Sequence, residues 1–140
     1  MLDRISDPGN LGTLLRTALA LGWEGAFLTP HSADPFNDKA IRASKGACFF
    51  LPLQEGSYEE LEELLKENQI TAYVADLKGT SLPNLKVKHP LALILGNESL
   101  GPSAWAKQHG SAISIPMKKD VESLNVASAG AILMYELIQG

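Results

Sequence analysis

The sequence predicts an α/β fold: a mostly parallel, six-stranded sheet with helices on both faces. Three observations predict it. Short apolar runs recur between stretches with helical spacing. One run, Leu91-Ala92-Leu93-Ile94-Leu95, is apolar without alternation, as in a strand covered on both sides. The runs also end on turn or breaker residues: Ser6-Asp7-Pro8-Gly9, Pro52, Gly96 and Pro116.

Six strands are expected, at Leu2–Ile5, Gly25–Thr29, Ala47–Leu51, Ala72–Ala75, Leu91–Leu95 and Ala112–Ile115. Asn10 is suited to cap the first helix through its side chain. Leu11, Leu14, Leu15, Ala18 and Leu19 follow at helical spacing, and Gly22 stops the run. Residues 30–36 hold two prolines and read as a loop, after which Asn37 caps a short helix through Ser44. Ser57-Tyr58-Glu59-Glu60 reads as a capping box, with Leu61, Leu64 and Leu65 on one face behind it. Residues 77–90 read as a polar loop. The last helix is expected to start near Ser123 or Leu124 and to run to about Ile138. No internal repeat, linker or low-complexity tail is visible.

Bulk composition narrows the classes. A chain of 140 residues is the size of one domain with a sizeable core. It is 45% hydrophobic and 20% charged, a globular balance. The single cysteine, Cys48, excludes an intrachain disulfide and a four-cysteine zinc site, and it reads as a small core residue. No apolar run approaches the roughly 18 residues of a membrane span, and Met1-Leu2-Asp3-Arg4 is unlike a signal peptide. A cytoplasmic location is expected. The formal net charge of −4 lacks the basic surplus of an autonomous nucleic-acid binder.

Three segments can carry chemistry. In Asp7–Ala18, Asn10 stands at a helix start and Arg16 nearly two turns later, while Gly12 leaves room for something to approach. The rigid donor fork of arginine suits a phosphate or carboxylate. An ordinary cap followed by a surface arginine accounts for the same spacing. In Leu95–Pro102, two glycines bracket Glu98 just past a buried strand, the edge where open α/β sheets bind ligands. A tight turn with a solvated glutamate is the plain alternative. In Ile115-Pro116-Met117 and Leu124–Ala131, small residues open a helix, and Ser123 and Asn125 offer short polar groups at its amino end. A capped helix with small core-facing residues reads the same way.

The sequence has no GxGxxG after a first strand, no GxxxxGK[ST], no HExxH and no GxSxG. His31, His89 and His109 lack ligand spacing, so no metal is expected.

Taken together, the segments resemble the SpoU/TrmH family of RNA ribose 2'-O-methyltransferases, within the SPOUT class. Asn10-Leu11-Gly12 through Arg16-Thr17-Ala18, preceded by Asp7-Pro8, resembles family motif one. Leu95-Gly96-Asn97-Glu98 with Gly101 is similar to motif two, and Ile115-Pro116-Met117 followed by Ser123-Leu124-Asn125-Val126 is similar to motif three. Asp34-Pro35-Phe36-Asn37 and Arg42-Ala43-Ser44-Lys45-Gly46 also follow the family's pattern. The four pieces stand in family order across essentially all 140 residues.

The resemblance implies a C-terminal trefoil knot, which pattern reading would never predict. It implies S-adenosyl-L-methionine as cofactor, with Gly96, Ile115 and Leu124 as main contacts and Ala75, Leu95 and Met117 as neighbours. It implies transfer to a ribose 2'-hydroxyl in RNA, with ribosomal RNA favoured over transfer RNA by the Asp-Pro-Gly-Asn-Leu-Gly form. Arg16 becomes the leading catalytic residue, with Asn10, Glu98, Ser123 and Asn125 completing a hydrogen-bonded pocket. A homodimer through the knot region is implied, burying Ala131, Ile132 and Met134 and part of the first helix. Residues 1–140 would be the catalytic domain, with no separate N-terminal RNA-binding domain. A catalytically silent RNA-binding or ribosome-assembly module with the same fold is the alternative.

Overall fold

The computed structural model describes residues 1–139. Helices α1 (Pro8–Ala20), α2 (Asp38–Ser44), α3 (Tyr58–Glu67), α4 (Ala104–His109) and α5 (Val126–Gln139) alternate with five strands. The strands are β1 (Ala26–Leu28), β2 (Leu53–Glu55), β3 (Thr71–Ser81), β4 (Leu91–Ile94) and β5 (Ser111–Ser114). They form a parallel β1–β2 pair and a parallel β4–β3–β5 sheet. Leu2 bridges both, lying parallel to Leu28 on one side and Leu95 on the other. Its N–H donates to Phe27 O at 2.8 Å, its C=O accepts from Thr29 N at 3.1 Å, and Asp3 N donates to Leu95 O at 2.9 Å.

Both sheet faces are covered, as the unbroken apolar run of β4 requires. Tyr73, Leu93, Leu95 and Ile113 share one core with Leu11, Leu14 and Leu15 of α1 and Leu133, Met134 and Leu137 of α5. Ala72, Val74, Ala92 and Ile94 share the other with Leu65 of α3 and Ala106 of α4. Alternate residues along each strand thus serve opposite layers. Cys48 is buried in the first core, as expected.

Several expected boundaries move. The strand expected at Leu2–Ile5 shrinks to the Leu2 bridge, because Arg4 takes φ 59° in the left-handed region and turns the chain away. The strand expected at Ala47–Leu51 is a 3₁₀ turn over Ala47–Phe49. Lys45 and Gly46 both have positive φ, 53° and 79°, and turn the chain so that Ala47, Cys48 and Leu51 are buried together. The strand starts after Pro52 instead, where a missing N–H at an edge-strand entry costs nothing. The polar loop expected from residue 77 begins as a continuation of β3 to Ser81. Asp7, and not Asn10, caps α1: its carboxylate accepts from Asn10 N at 2.8 Å, and Pro8 takes the first helical position. The last helix starts at Val126, with Asn125 accepting from Ala127 N and Ser128 N at 2.8 and 3.2 Å. The Asn37 cap of α2 and the Ser57–Glu60 capping box of α3 are as expected.

Gly12 does leave room for an approach, and what approaches is α2. A Cβ at Gly12 would lie 2.4 Å from Ala40 O and 2.9 Å from Ser44 N, both backbone atoms that cannot rotate away. Gly12→Ala is therefore expected to destabilise the domain by about 1–3 kcal/mol, the usual range for overpacking. A lower urea midpoint with an unchanged slope is the outcome to measure.

Candidate active site

The carboxyl ends of β3, β4 and β5 meet the amino end of α5 around a cavity of about 420 Å³. That is within the range of pockets that hold a small cofactor. All six residues that the sequence nominates for the cofactor line it: Ala75, Leu95, Gly96, Ile115, Met117 and Leu124. Glu98 and Ser123 line it as well. Motifs and spacing do not single out Asp76 and Glu122, which also stand at its wall. With Glu98 they give the cavity an acidic character that suits a cationic ligand.

The loop after β4 is the most constrained part of the wall. A Cβ on Gly96 would lie 2.6 Å from Gly101 C and from Pro102 N, so the loop folds back directly over that glycine. Gly101 has φ 71°, and its N–H donates to Asn97 O at 2.9 Å. The Asn97 side chain accepts from Ser99 N and Leu100 N, both at 2.9 Å, and donates to Arg4 O at 2.8 Å. Asn97 thus closes the turn from inside and ties it to the segment before α1.

Glu98 makes a further tie. Its carboxylate accepts from Asp7 N at 3.1 Å, Ser6 N at 3.3 Å and Ser6 Oγ at 3.2 Å. Partial burial opposes its ionisation, but the N–H groups of Glu98 itself, Asp7 and Ser6 and the Ser6 hydroxyl together outweigh that and hold the carboxyl below its usual range. The Asp7 carboxyl is also lowered, first by the Asn10 N–H and further by Lys39. A depressed carboxyl stabilises the fold above its unfolded-state value and loses that contribution as pH falls through the folded one. The melting temperature is accordingly expected to drop as pH falls below the ordinary carboxylate range and both groups take up protons. In Glu98→Gln the same titration should show a shallower drop, read by thermal scans across that range.

Asn10 and Asn125 meet at the rim, where Asn125 Nδ2 donates to Asn10 Oδ1 at 3.1 Å. The start of α1 is thereby joined to the start of α5, and Asn125 lies between two cavity residues, Leu124 and Val126. Arg16 is not brought in. It is solvent-exposed on α1, outside the cavity wall, and has no ion pair among the described residues. Spacing along α1 foreshadows this, since six residues turn it about 240° from Asn10.

Sequence reasoning also passes over Asp3, Arg4, Tyr58 and Ser103, which support the β4 loop from behind. Asp3 is 1% exposed. A lone Asp at the end of a short apolar run carries no periodic signal that could mark it.

The chain matches the SpoU rRNA Methylase family over residues 1–135. It is 35% identical over 139 residues to the 23S rRNA (guanosine(2553)-2'-O)-methyltransferase RlmP of Bacillus subtilis (strain 168), covering 98% of this chain and 56% of that protein. It is 32% identical over 147 residues to the 23S rRNA (uridine(2479)-2'-O)-methyltransferase of Streptomyces viridochromogenes, covering 99% of this chain and 51% of that one. The fold superposes on the crystal structure of the SpoU methyltransferase AviRb from Streptomyces viridochromogenes in complex with the cofactor AdoMet, with a TM-score of 0.90 at 31% identity. That match covers 99% of this chain and 55% of the other. The chain thus spans about half the length of the relatives it matches. With the second and third motifs gathered around one cavity in this fold, the chain belongs to the SpoU rRNA methylase family.

Proposed function

We propose that residues 1–140 form the catalytic domain of an RNA methyltransferase that takes a methyl group from S-adenosyl-L-methionine to a ribose 2'-hydroxyl. The observation that carries the reading is the convergence of six nominated cofactor residues on one cavity beside the Asn10–Asn125 pair. The cavity fits the cofactor in chemistry as well as size. Leu77 and Leu124 offer apolar surface for a base, at 61% and 38% exposure, and Asp76, Glu98 and Glu122 suit its cationic centre. When bound, the cofactor supplies a methyl already activated on a sulfonium, so the transfer itself requires no metal.

The rest falls to this chain's residues. Gly96 and Ile115 offer backbone groups to the cofactor, and Leu95 and Met117 close the apolar wall. Arg16 anchors the phosphate next to the target ribose. A guanidinium stays charged in proteins, which suits anchoring more than proton removal. Asn10, Asn125 and Ser123 orient the RNA backbone and hold the hydroxyl in line, and positioning supplies much of the rate in such a transfer. Ribosomal RNA is the favoured substrate, in keeping with the activities for which the relatives in Bacillus and Streptomyces are named. A cytoplasmic location belongs to the same reading. Among the described residues no helix is long and apolar enough to cross a membrane.

The reading includes a trefoil knot. Its support is local: Ala75 and Thr80 both pair with Ile113, so residues 76–79 form an arch that interrupts the β3–β5 register. A Cβ on Gly79 would lie 2.3 Å from Ile113 N, which marks how tightly that arch closes.

It includes a homodimer as well. Ile132, Tyr135 and Ile138 on α5 and Leu19 on α1 are 38–53% exposed and provide the apolar seam. Met134, expected in that seam, is 5% exposed and belongs to the monomer core because it packs beneath α1. Arg16 lies three residues from Leu19 and so stands beside the seam. Sedimentation equilibrium at micromolar concentration is expected to give about twice the 15.0 kDa chain mass. A persistent monomer would remove the dimer from the account.

The test of the function is calorimetry with S-adenosyl-L-methionine, followed by transfer of labelled methyl to protein-free cellular RNA. Binding and transfer are expected. Binding without transfer to any RNA would leave a silent RNA-binding module with the same fold.

A further inference from the structure

We propose that Asp3 is a positioning residue for the cofactor loop: its buried carboxylate, outside the cavity, holds Gly96–Pro102 in the shape that accepts S-adenosyl-L-methionine. The proposal rests on the reading of the cavity given above. Asp3 Oδ1 accepts from Tyr58 Oη at 2.6 Å and from Thr29 Oγ1 at 3.2 Å. Its Oδ2 accepts from Ser103 N at 3.2 Å and from the Ser103 hydroxyl. Arg4 Nε stands 3.8 Å from Oδ1. One carboxylate therefore joins the end of β1, the first turn of α3 and the cap of α4 to the residue that follows the bridge between the two sheets.

The position of Ser103 gives these bonds their consequence. It follows Pro102 directly and caps α4, accepting from Ala106 N at 3.2 Å. Fixing Ser103 fixes the far end of the loop, whose near end is β4. Arg4, the next residue after Asp3, holds the middle. Its C=O accepts from Asn97 Nδ2 at 2.8 Å, and its Nη2 donates to Gly101 O at 3.5 Å. Arg4 keeps a left-handed φ of 59°, a conformation unfavourable for a side chain of this size, and its N–H donates to Thr29 Oγ1 at 2.9 Å. Such a backbone persists only where its surroundings enforce it, and here Thr29, itself bonded to Asp3, holds the Arg4 N–H while Asn97 and Gly101 hold its C=O and its side chain. Burying a carboxylate is unfavourable unless it is well hydrogen-bonded, so the four donors and the loop position are coupled.

Two conservative variants separate positioning from bulk stability. Tyr58→Phe removes only a hydroxyl and keeps the ring against Trp105, whose centroid is 5.4 Å away. Ser103→Ala removes the other hydroxyl donor, and Ser103→Thr restores one. Leu61→Val, in the same helix as Tyr58 and 1% exposed, serves as a control that lowers stability without touching Asp3. Hydrogen exchange of residues 96–103 and calorimetric affinity for S-adenosyl-L-methionine are measured on all four and on the unaltered protein. Tyr58→Phe and Ser103→Ala are expected to speed exchange in 96–103 at least tenfold and to weaken affinity at least tenfold. Ser103→Thr should recover most of both, and Leu61→Val should change neither locally. Folded Tyr58→Phe and Ser103→Ala proteins with unaltered exchange in 96–103 would overturn the proposal. So would an equal effect from Leu61→Val. Should the unaltered protein bind no cofactor, the reading of the cavity fails, and the exchange rates still decide whether Asp3 fixes the loop.

Discussion

Arg16→Ala is expected to lower methyl transfer by about 10²–10³-fold, the usual loss when one electrostatic contact to a transition state is removed. The fold should survive. Arg16 is exposed and has no ion pair among the described residues, so its truncation opens no cavity and strands no buried charge. Cofactor affinity should hold too, because Arg16 is absent from the cavity wall. That combination separates it from a structural arginine, whose loss would reduce activity only in step with the folded fraction. Melting temperature, calorimetric cofactor affinity and single-turnover methylation on one preparation decide the matter. A folded Arg16→Ala protein with a near-normal single-turnover rate would remove Arg16 from catalysis.

Gly96→Ala has the other large expected effect, and it falls on binding. The new methyl would meet Gly101 C and Pro102 N at 2.6 Å, and neither backbone atom can rotate aside. The loop must open. Opening it pulls Asn97 from Arg4 O and Glu98 from Ser6 and Asp7, which disrupts the cavity wall and the tie to α1 together. A loss of about 10–100-fold in cofactor affinity is expected, about 1.4–2.7 kcal/mol. The calorimetric isotherm checks it. An unaltered affinity in a folded Gly96→Ala protein would mean that the loop accommodates the methyl and that its closed shape is not what the cofactor requires.

Much of the arrangement is legible in the sequence, and the parts that are not share a cause. The β4 run, the α3 capping box and the Asn37 cap are local patterns, and local patterns report local structure. Ala47–Leu51 misleads because an apolar run fits a buried strand and a buried turn equally well. Only the paired left-handed residues Lys45 and Gly46 decide for the turn. Asn10 reads as a cap because it has capping chemistry. Asp7 has the same chemistry, and Pro8 between them sets where the helix begins. The six residues nominated for the cofactor come from the family resemblance and not from spacing, since residues 75, 95, 115 and 124 meet only after the sheet is assembled. Asp3 escapes notice for the same reason. Its partners lie 26, 55 and 100 residues away in sequence.

The most direct measurement is mass spectrometry of nucleosides from RNA incubated with the protein and labelled S-adenosyl-L-methionine. The label is expected on ribose, at a single position in ribosomal RNA, as a 2'-O-methyl group that makes the adjoining phosphodiester resistant to alkali. Label on a base would contradict the account, and so would the absence of label from RNA of every class despite measurable cofactor binding.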